Sequence, residues 1–79
     1  MDWHIENNSL VKEFEFQDFK EAVFFVNKIE KIADKMNHHP DVLIHSYKKV
    51  KIMLSTHDAG KVTDKDYNLA EKIDGLFEI

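Results

Sequence analysis

The chain has 79 residues, which is enough for one small domain, predicted over residues 1–79, and too few for a second hydrophobic core. It has no cysteine, which excludes disulfides, thiolate metal sites and a cysteine nucleophile. Eleven lysines, no arginine and fifteen acidic residues give a net charge of −4, which argues against nucleic acid as a partner.

The hydropathy pattern predicts a folded protein without a membrane partner. Hydrophobic residues make up 43% of the chain, as is typical of a globular protein. The longest purely apolar run, residues 22–26, is too short to cross a bilayer, and the first residues lack the regions of a signal peptide. We therefore expect a cytoplasmic protein. Because so short a chain buries a limited core, we also expect a homo-oligomer.

The first residues predict a β-hairpin. Apolar and polar residues alternate over Trp3–Glu6 and again over Leu10–Phe16, which is the period of a half-buried strand. Residues 7–9, Asn-Asn-Ser, lie between these segments and are typical of a turn, because asparagine tolerates a positive φ.

A long amphipathic helix is predicted next. Asp18 and Glu21 have the spacing of a capping box, and apolar residues then recur at steps of three and four as far as Met36. The helix is expected to end near Asn37, because Pro40 disfavours helical geometry in the residue before it. Three further apolar residues widen the stripe and indicate a contact with another subunit: Phe24, Phe25 and Ile32.

The rest of the chain predicts two more strands and a closing helix. Val42–Tyr47 is apolar and β-prone, and residues 49–54 alternate between lysine or methionine and buried aliphatic types. After a loop at 57–60, Thr63 and Asp66 repeat the capping spacing before a final apolar stripe. The order ββαββα predicts an α+β fold, an antiparallel four-stranded sheet with two helices on one face.

Three of the five histidines lie next to predicted element ends: His38, His39 and His57. An imidazole titrates near neutral pH, so it can donate or accept a proton there. Each also has a simpler explanation. His38 suits a helix C-terminus, His39 a solvated turn before proline, and His57 with Asp58 a polar loop.

The nearby carboxylates have simpler explanations as well. Asp66 can close the capping box of Thr63, and Asp34 can be a solvated helix residue. A metal site is disfavoured, because the adjacent His38 and His39 are expected to point in different directions and no zinc-helix motif is present. No serine lies in a recognisable nucleophile turn.

These residues together form a longer motif, carried by Asp34–Pro40, Tyr47, Ser55–Asp58 and Asp66. In residue type and spacing it resembles the pterin-4a-carbinolamine dehydratase family. The pattern of that family is an acidic residue, three positions, His-His-Pro, an aromatic six or seven residues on, a histidine ten residues later and a following aspartate. The similarity extends from about Trp3 to the C-terminus.

The resemblance implies an enzyme, a hydro-lyase that converts 4a-hydroxytetrahydropterin to quinonoid dihydropterin and water in tetrahydrobiopterin-type cofactor recycling. Loss of water from this substrate needs an acid at the leaving hydroxyl and a base at N5. The implied partner is a small-molecule pterin, and the chemistry requires no cofactor and no metal. Because the assemblies of that family are dimers or tetramers, the resemblance also implies a dimer or a tetramer for the expected homo-oligomer.

The resemblance also implies roles for individual residues. His38 and His57 would be the acid–base pair, and His39, the third histidine of the catalytic set, would mainly bind substrate. Asp34 and Asp66 would orient imidazoles or meet the polar edge of the pterin. The pterin pocket would be lined by Asn37, His38, His39, Ser55, Thr56, His57 and Asp58.

Two other functions fit the sequence. Some animal relatives in the resembled family act as a dimerisation cofactor for a homeodomain transcription factor, a non-catalytic assembly role that would use a helix surface. The fold could instead act on another pterin, such as a molybdopterin-related one, because Val42 stands where many family members have tryptophan. The three placed histidines favour the dehydratase.

Overall fold

The computed structural model describes residues 2–78 and confirms the predicted α+β fold and its element order. The strands are β1 (His4–Glu6), β2 (Ser9–Glu15), β3 (Asp41–His45) and β4 (Lys49–Leu54), and the helices are α1 (Phe19–Met36) and α2 (Asp64–Phe77). All neighbouring strands are antiparallel, in the order β1-β2-β4-β3. Neither helix of the described residues is long and apolar enough to cross a membrane.

Both helices pack on the same face of the sheet. Val50 of β4 lies opposite Phe14 of β2, and Leu54 lies opposite Leu10, and all four side chains are buried. The apolar stripes of the helices complete the core with Ala22, Phe25 and Ile29 from α1 and Leu69, Ala70 and Ile73 from α2. The alternation along β4 is therefore explained by one face that meets the helices and one that is more exposed.

The third strand is shorter than its sequence predicts. The whole segment Val42–Tyr47 is β-prone, yet β3 ends before Ser46 and Tyr47, which form the turn to β4 with φ angles of 51° and 52°. His45 pairs with Lys49, so the connection has three residues, of which the first two take positive φ to reverse the chain. The geometry of the connection thus overrides the local preference. The turn between β1 and β2 is shorter, with the two residues Asn7 and Asn8, and both also take positive φ, which asparagine tolerates better than tyrosine.

Candidate active site

The end of α1 presents two adjacent histidines in different directions. Asn37 follows the helix in the left-handed region, with φ 53°, and the backbone N–H of His38 donates to the carbonyl of Ala33 at 3.1 Å. Asparagine tolerates this conformation, which turns the chain away from the helix axis. As a result His38 contacts α2, whereas His39 turns back to α1.

His38 is paired with a buried carboxylate. Its Nε2 lies 2.6 Å from Oδ1 of Asp66, whose side chain is wholly shielded from solvent. A buried carboxylate needs donors around it, and Asp66 has two more on Oδ2, the hydroxyl of Thr56 and the backbone N–H of Thr63, each at 2.9 Å. Asp66 is therefore both a helix-capping residue and the partner of His38, so its two explanations apply together.

The two threonine hydroxyls form a short chain behind this carboxylate. Oγ1 of Thr56 and Oγ1 of Thr63 are 2.6 Å apart. A hydroxyl carries one proton, and that of Thr56 is donated to Asp66, so Thr63 must be the donor to Thr56. The chain holds Oδ2 of Asp66 in place and leaves Oδ1 directed at the imidazole.

The contact with Asp66 determines which nitrogen of His38 is available for chemistry. An ionised carboxylate only accepts hydrogen bonds, so Nε2 carries the proton and, in the neutral ring, Nδ1 is the basic nitrogen. Nδ1 has no hydrogen-bond partner among residues 2–78. Since no buried polar side-chain atom of these residues lacks a partner, Nδ1 is reached by solvent. His38 can therefore accept or deliver a proton there.

His39 makes a similar contact at the surface. Its Nε2 is 2.8 Å from Oδ1 of Asp34, and the two side chains are 57% and 59% exposed. Hydrogen bonds from Glu30, one helical turn away, and then from His39 hold the pKa of Asp34 below its ordinary value. The contact with Asp34 in turn raises the pKa of Glu30. Asp34 thus stays ionised next to His39.

The connection between β4 and α2 brings the third histidine to the first two. Thr56 and Lys61 form an isolated bridge that closes the loop carrying His57. A cleft of ≈ 380 Å³ lies between this loop and the end of α1. The residues that line it are Asn37, His38, His39, Pro40, Asp41, Thr56, His57, Asp58 and Lys65.

The cleft gathers most of the residues that the motif singles out. Of the seven expected to bind substrate, all but Ser55 line it. Ser55 follows the last residue of β4 and is half-buried. Asp34 and Asp66 do not line the cleft but contact the two histidines that do.

Three lining residues are absent from the sequence-based set: Pro40, Asp41 and Lys65. Pro40 and Asp41 directly follow the histidine pair in the chain, so their position next to it could have predicted that they line the cleft. Lys65 lies in the first turn of α2, next to Asp66. Nothing in the pattern distinguishes it from the other lysines, because its position in the wall depends on how α2 packs.

A larger groove of ≈ 700 Å³ lies on the outer side of α1 and has a different character. It is lined by Asp18, Phe19, Lys20, Glu21, Val23, Phe24 and Asn27. Phe19 and Phe24 are 54% and 62% exposed, and no histidine is present. We call this set the α1 outer patch. Its apolar walls suit contact with another protein better than acid–base chemistry.

The described residues contain no group of three or more His, Asp or Glu side chains placed to hold a metal ion. The histidine and aspartate side chains near the cleft form two separate hydrogen-bonded pairs instead. His38 contacts Asp66 of α2, whereas His39 contacts Asp34 of α1.

Comparison with known proteins identifies a family and agrees with this fold. A family profile described as Pterin 4 alpha carbinolamine dehydratase matches residues 1–76. A curated protein of Sulfurisphaera tokodaii named for that family is 58% identical over 74 residues, 94% of this chain and 78% of the relative. One from Prochlorococcus marinus, named likewise, is 47% identical over 74 residues, covering 94% and 77%. The chain therefore belongs to the pterin 4 alpha carbinolamine dehydratase family, and dehydration of a pterin carbinolamine is its activity class.

Two solved structures share the fold. The crystal structure of a transcriptional coactivator/pterin dehydratase from Brucella melitensis has a TM-score of 0.87 and 29% identity, covering 94% of this chain and 80% of that one. A pterin dehydratase-like protein described as a RuBisCO assembly factor in the alpha-carboxysome has a TM-score of 0.74 and 17% identity, covering 94% and 84%.

Proposed function

We propose that the protein dehydrates a 4a-hydroxytetrahydropterin to the quinonoid dihydropterin and water, with His38 and His57 as the acid–base pair. The observation that carries the proposal is the contact between His38 and Asp66, because it leaves Nδ1 of a held imidazole available in a cleft that also contains His57. Family membership supports the class of reaction. Recycling of a tetrahydrobiopterin-type cofactor is the corresponding role.

The reaction needs one proton delivered and one removed. The C4a–O bond breaks while the acid protonates the hydroxyl, which leaves as water. The electron pair of the N5–H bond forms the C4a–N5 double bond while the base takes the N5 proton. Imidazoles suit both transfers because both of their forms are populated near neutral pH. Proton exchange with solvent then returns the pair to its starting state.

The surrounding residues support these steps in two ways. Asp66 fixes the tautomer of His38 and stabilises the imidazolium that forms when the ring takes a proton. Its burial keeps water from competing for that contact. Asp34 holds His39 in the corresponding way at the rim. The residues proposed to bind the pterin alongside the acid–base pair are Asn37, His39, Ser55, Thr56 and Asp58.

Stopped-flow absorbance of 4a-hydroxytetrahydropterin dehydration tests this proposal. We expect the wild-type chain to exceed the buffer rate, and His38→Ala and His57→Ala each to lose about 10²–10⁴-fold. His4→Ala is the matched control, because His4 is exposed on β1 and contacts Glu6 outside the cleft. A wild-type rate equal to that of buffer would overturn the reaction. Full activity in both cleft variants would overturn the acid–base assignment.

A non-catalytic assembly role is the second candidate, and the α1 outer patch favours it. Phe19 and Phe24 expose more than half of their surface, and apolar side chains grouped in this way are typical of protein contacts. The occupant that we propose is a second copy of this chain, which gives the expected homo-oligomer.

Sedimentation velocity over a range of concentrations tests the assembly role. We expect Phe24→Lys to shift the wild-type protein towards monomer, and Lys31→Ala, a change elsewhere on α1, to leave the distribution unchanged. A wild-type chain that is monomeric throughout would exclude self-association. Association without any dehydration would favour the assembly role over the enzyme.

A further inference from the structure

A shallow groove runs between the two helices and begins at the cleft. Its nearer part, ≈ 410 Å³, is lined by Met36, Asn68, Glu71 and Lys72. Its farther part, ≈ 500 Å³, is lined by Ile32, Lys35, Met36, Lys72, Gly75 and Leu76. Met36 directly precedes Asn37, which lines the cleft. Asn68 lies about one turn of α2 beyond Lys65, which lines the cleft as well. We call the two parts together the interhelical groove.

Lysines form a basic path from the cleft along this groove. Lys65 lies in the cleft wall, Lys72 follows it on α2, and Lys35 lines the groove from α1. Among residues 2–78 none of the three forms a salt bridge. Glu71 is the one carboxylate among the described residues that line the groove. A chain with a net charge of −4 therefore keeps a positively charged surface here, which attracts anionic groups.

The floor of the groove is apolar and has an opening at Gly75. Ile32, Met36 and Leu76 are half-buried there. Gly75 lies within α2, where glycine is less favourable than alanine. A Cβ atom at this position would meet no atom within 4 Å, so packing within the chain does not require glycine. The missing side chain instead leaves room for a ligand that lies along the groove.

The chemistry proposed for the cleft directs the substituent of a pterin towards this groove. The base takes the proton of N5, and C6, which carries the substituent, is bonded to N5. The substituent therefore leaves the ring next to the acid–base pair, of which His38 contacts Asp66, the neighbour of Lys65. The pyrimidine edge, across the ring from C6, has N–H donors. These donors suit the carboxylates Asp41 and Asp58 elsewhere in the wall of the cleft.

We infer that the substrate is a pterin with an extended anionic substituent at C6, which lies in the interhelical groove with its carboxylates or phosphates at the lysines. Lys72 follows Lys65 by seven residues, about 10 Å along α2, so a substituent of that length meets both. A short neutral substituent would leave both charges unused. The pterin part of this inference rests on the proposed function, whereas the preference of the groove for anions does not.

Isothermal titration calorimetry with dihydropterins tests this preference without turnover. The probes are dihydrobiopterin, which has a short neutral substituent, dihydroneopterin triphosphate and dihydropteroyl triglutamate. We expect an anionic probe to bind about tenfold or more tightly than dihydrobiopterin at low salt, and high salt to remove most of the difference. The two anionic probes show whether the groove takes phosphates or carboxylates. Equal affinity for all three probes, or no binding of any, would overturn the inference.

Lysine variants test where the substituent lies. Lys72→Gln and Lys35→Gln should each weaken the preferred anionic probe about three- to tenfold. Dihydrobiopterin, which does not reach these lysines, should bind as before. Lys31→Gln is the matched control, because it removes the same charge from an exposed position on α1 outside the cleft and the groove. An equal loss in Lys31→Gln would show an effect of net charge alone and would overturn the site.

A groove-filling variant tests the open floor separately. Gly75→Leu should weaken the preferred anionic probe about threefold or more, because its side chain occupies the space in which the substituent lies. It leaves every lysine in place, so the loss should persist at high salt. Unchanged binding of the anionic probe in this variant would show that the substituent does not lie along the groove.

The outcomes separate this inference from the proposed dehydratase. An active wild-type chain that prefers neither anionic probe overturns the anionic substituent and leaves the reaction in place. An inactive wild-type chain that still prefers an anionic pterin, and loses that preference in Lys72→Gln, overturns the reaction and leaves the ligand class in place. Triglutamate alone that binds as tightly as the pteroyl form would show that the groove takes acidic peptides, which would overturn its link to the cleft.

Discussion

The two adjacent histidines make the same contact in opposite surroundings. His38 and His39 each direct Nε2 to a carboxylate, at 2.6 Å to Asp66 and at 2.8 Å to Asp34. Asp66 is fully buried with two further donors, whereas the Asp34 side chain is 59% exposed. Water can replace an exposed contact, but breaking a buried one leaves an uncompensated polar group. The difference indicates that His38 is held in place, which suits its proposed acid–base role, and that His39 is freer to move, which suits its proposed role in binding substrate.

The largest effect is expected from Asp66→Asn. The amide keeps the shape of the carboxylate but removes its charge and turns an NH₂ group towards one of its donors. We expect kcat to fall about 10²–10⁴-fold and the free energy of unfolding to fall by about 1–3 kcal/mol. Stopped-flow kinetics and urea unfolding measure the two losses. Asp64→Asn, at an exposed position in the same first turn of α2, is the control. Unchanged kinetics in Asp66→Asn would show that the buried contact is dispensable.

A smaller effect is expected when only the support of Asp66 is removed. Thr56→Val deletes the hydroxyl that donates to Oδ2 but preserves the shape of the side chain. We expect the unfolding free energy to fall by about 1–2 kcal/mol, with a loss of kcat smaller than that of Asp66→Asn. Thr56→Ser should restore both, because it keeps the donor. Equal defects in the serine and valine variants would show that the hydroxyl is not the group that matters.

The exposed pair should tolerate the same chemical change. Asp34→Asn is expected to alter kcat/KM by less than about tenfold, mainly through KM, because solvent replaces the lost contact with His39. Steady-state kinetics of Asp34→Asn and Asp66→Asn, measured side by side, compares the two losses directly. Losses of equal size in the two variants would break the distinction between a buried and an exposed pair.

The free energy of unfolding at acid pH should also depend on Asp34. Because folding lowers its pKa, the stabilisation from this carboxylate is fully present above the ordinary carboxyl pKa and is lost as the pH falls through the lowered value. The raised pKa of Glu30 has the opposite sign, so its contribution is present in acid and is lost as the pH rises. Urea unfolding from neutral to acid pH should show wild type and Asp34→Asn converging at low pH. Curves that stay parallel would contradict this.

The smallest effect is expected from Glu30→Ala. Removing the first hydrogen-bond partner of Asp34 should raise the pKa of Asp34 towards its ordinary value, while His39 keeps it from returning fully. Carboxyl NMR titration measures this shift. The activity should hardly change, because Glu30 does not line the cleft. An unchanged pKa of Asp34 would show that the two carboxylates do not interact.

The secondary structure was predictable because its causes are local. Alternation along β4 follows from one buried face, and the capping spacing at Asp18 corresponds to a bond from the N–H of Glu21 to Oδ1 of Asp18 at 2.9 Å. Tyr47 is the instructive exception. Its β preference was overridden by a hairpin turn that takes positive φ, and the strands that impose this turn lie outside the local pattern.

The sequence by itself determined the order of the elements, the family and the set of candidate residues, since periodicity and motif spacing are properties of the chain. Only the tertiary structure decided that His38 meets a carboxylate 28 residues away and that Ser55 lies outside the cleft while Lys65 lies within it. Two neighbouring histidines look alike in a sequence. Their directions depend on the left-handed turn at Asn37 and on the packing of α2, and their surroundings depend on which side chains that packing buries.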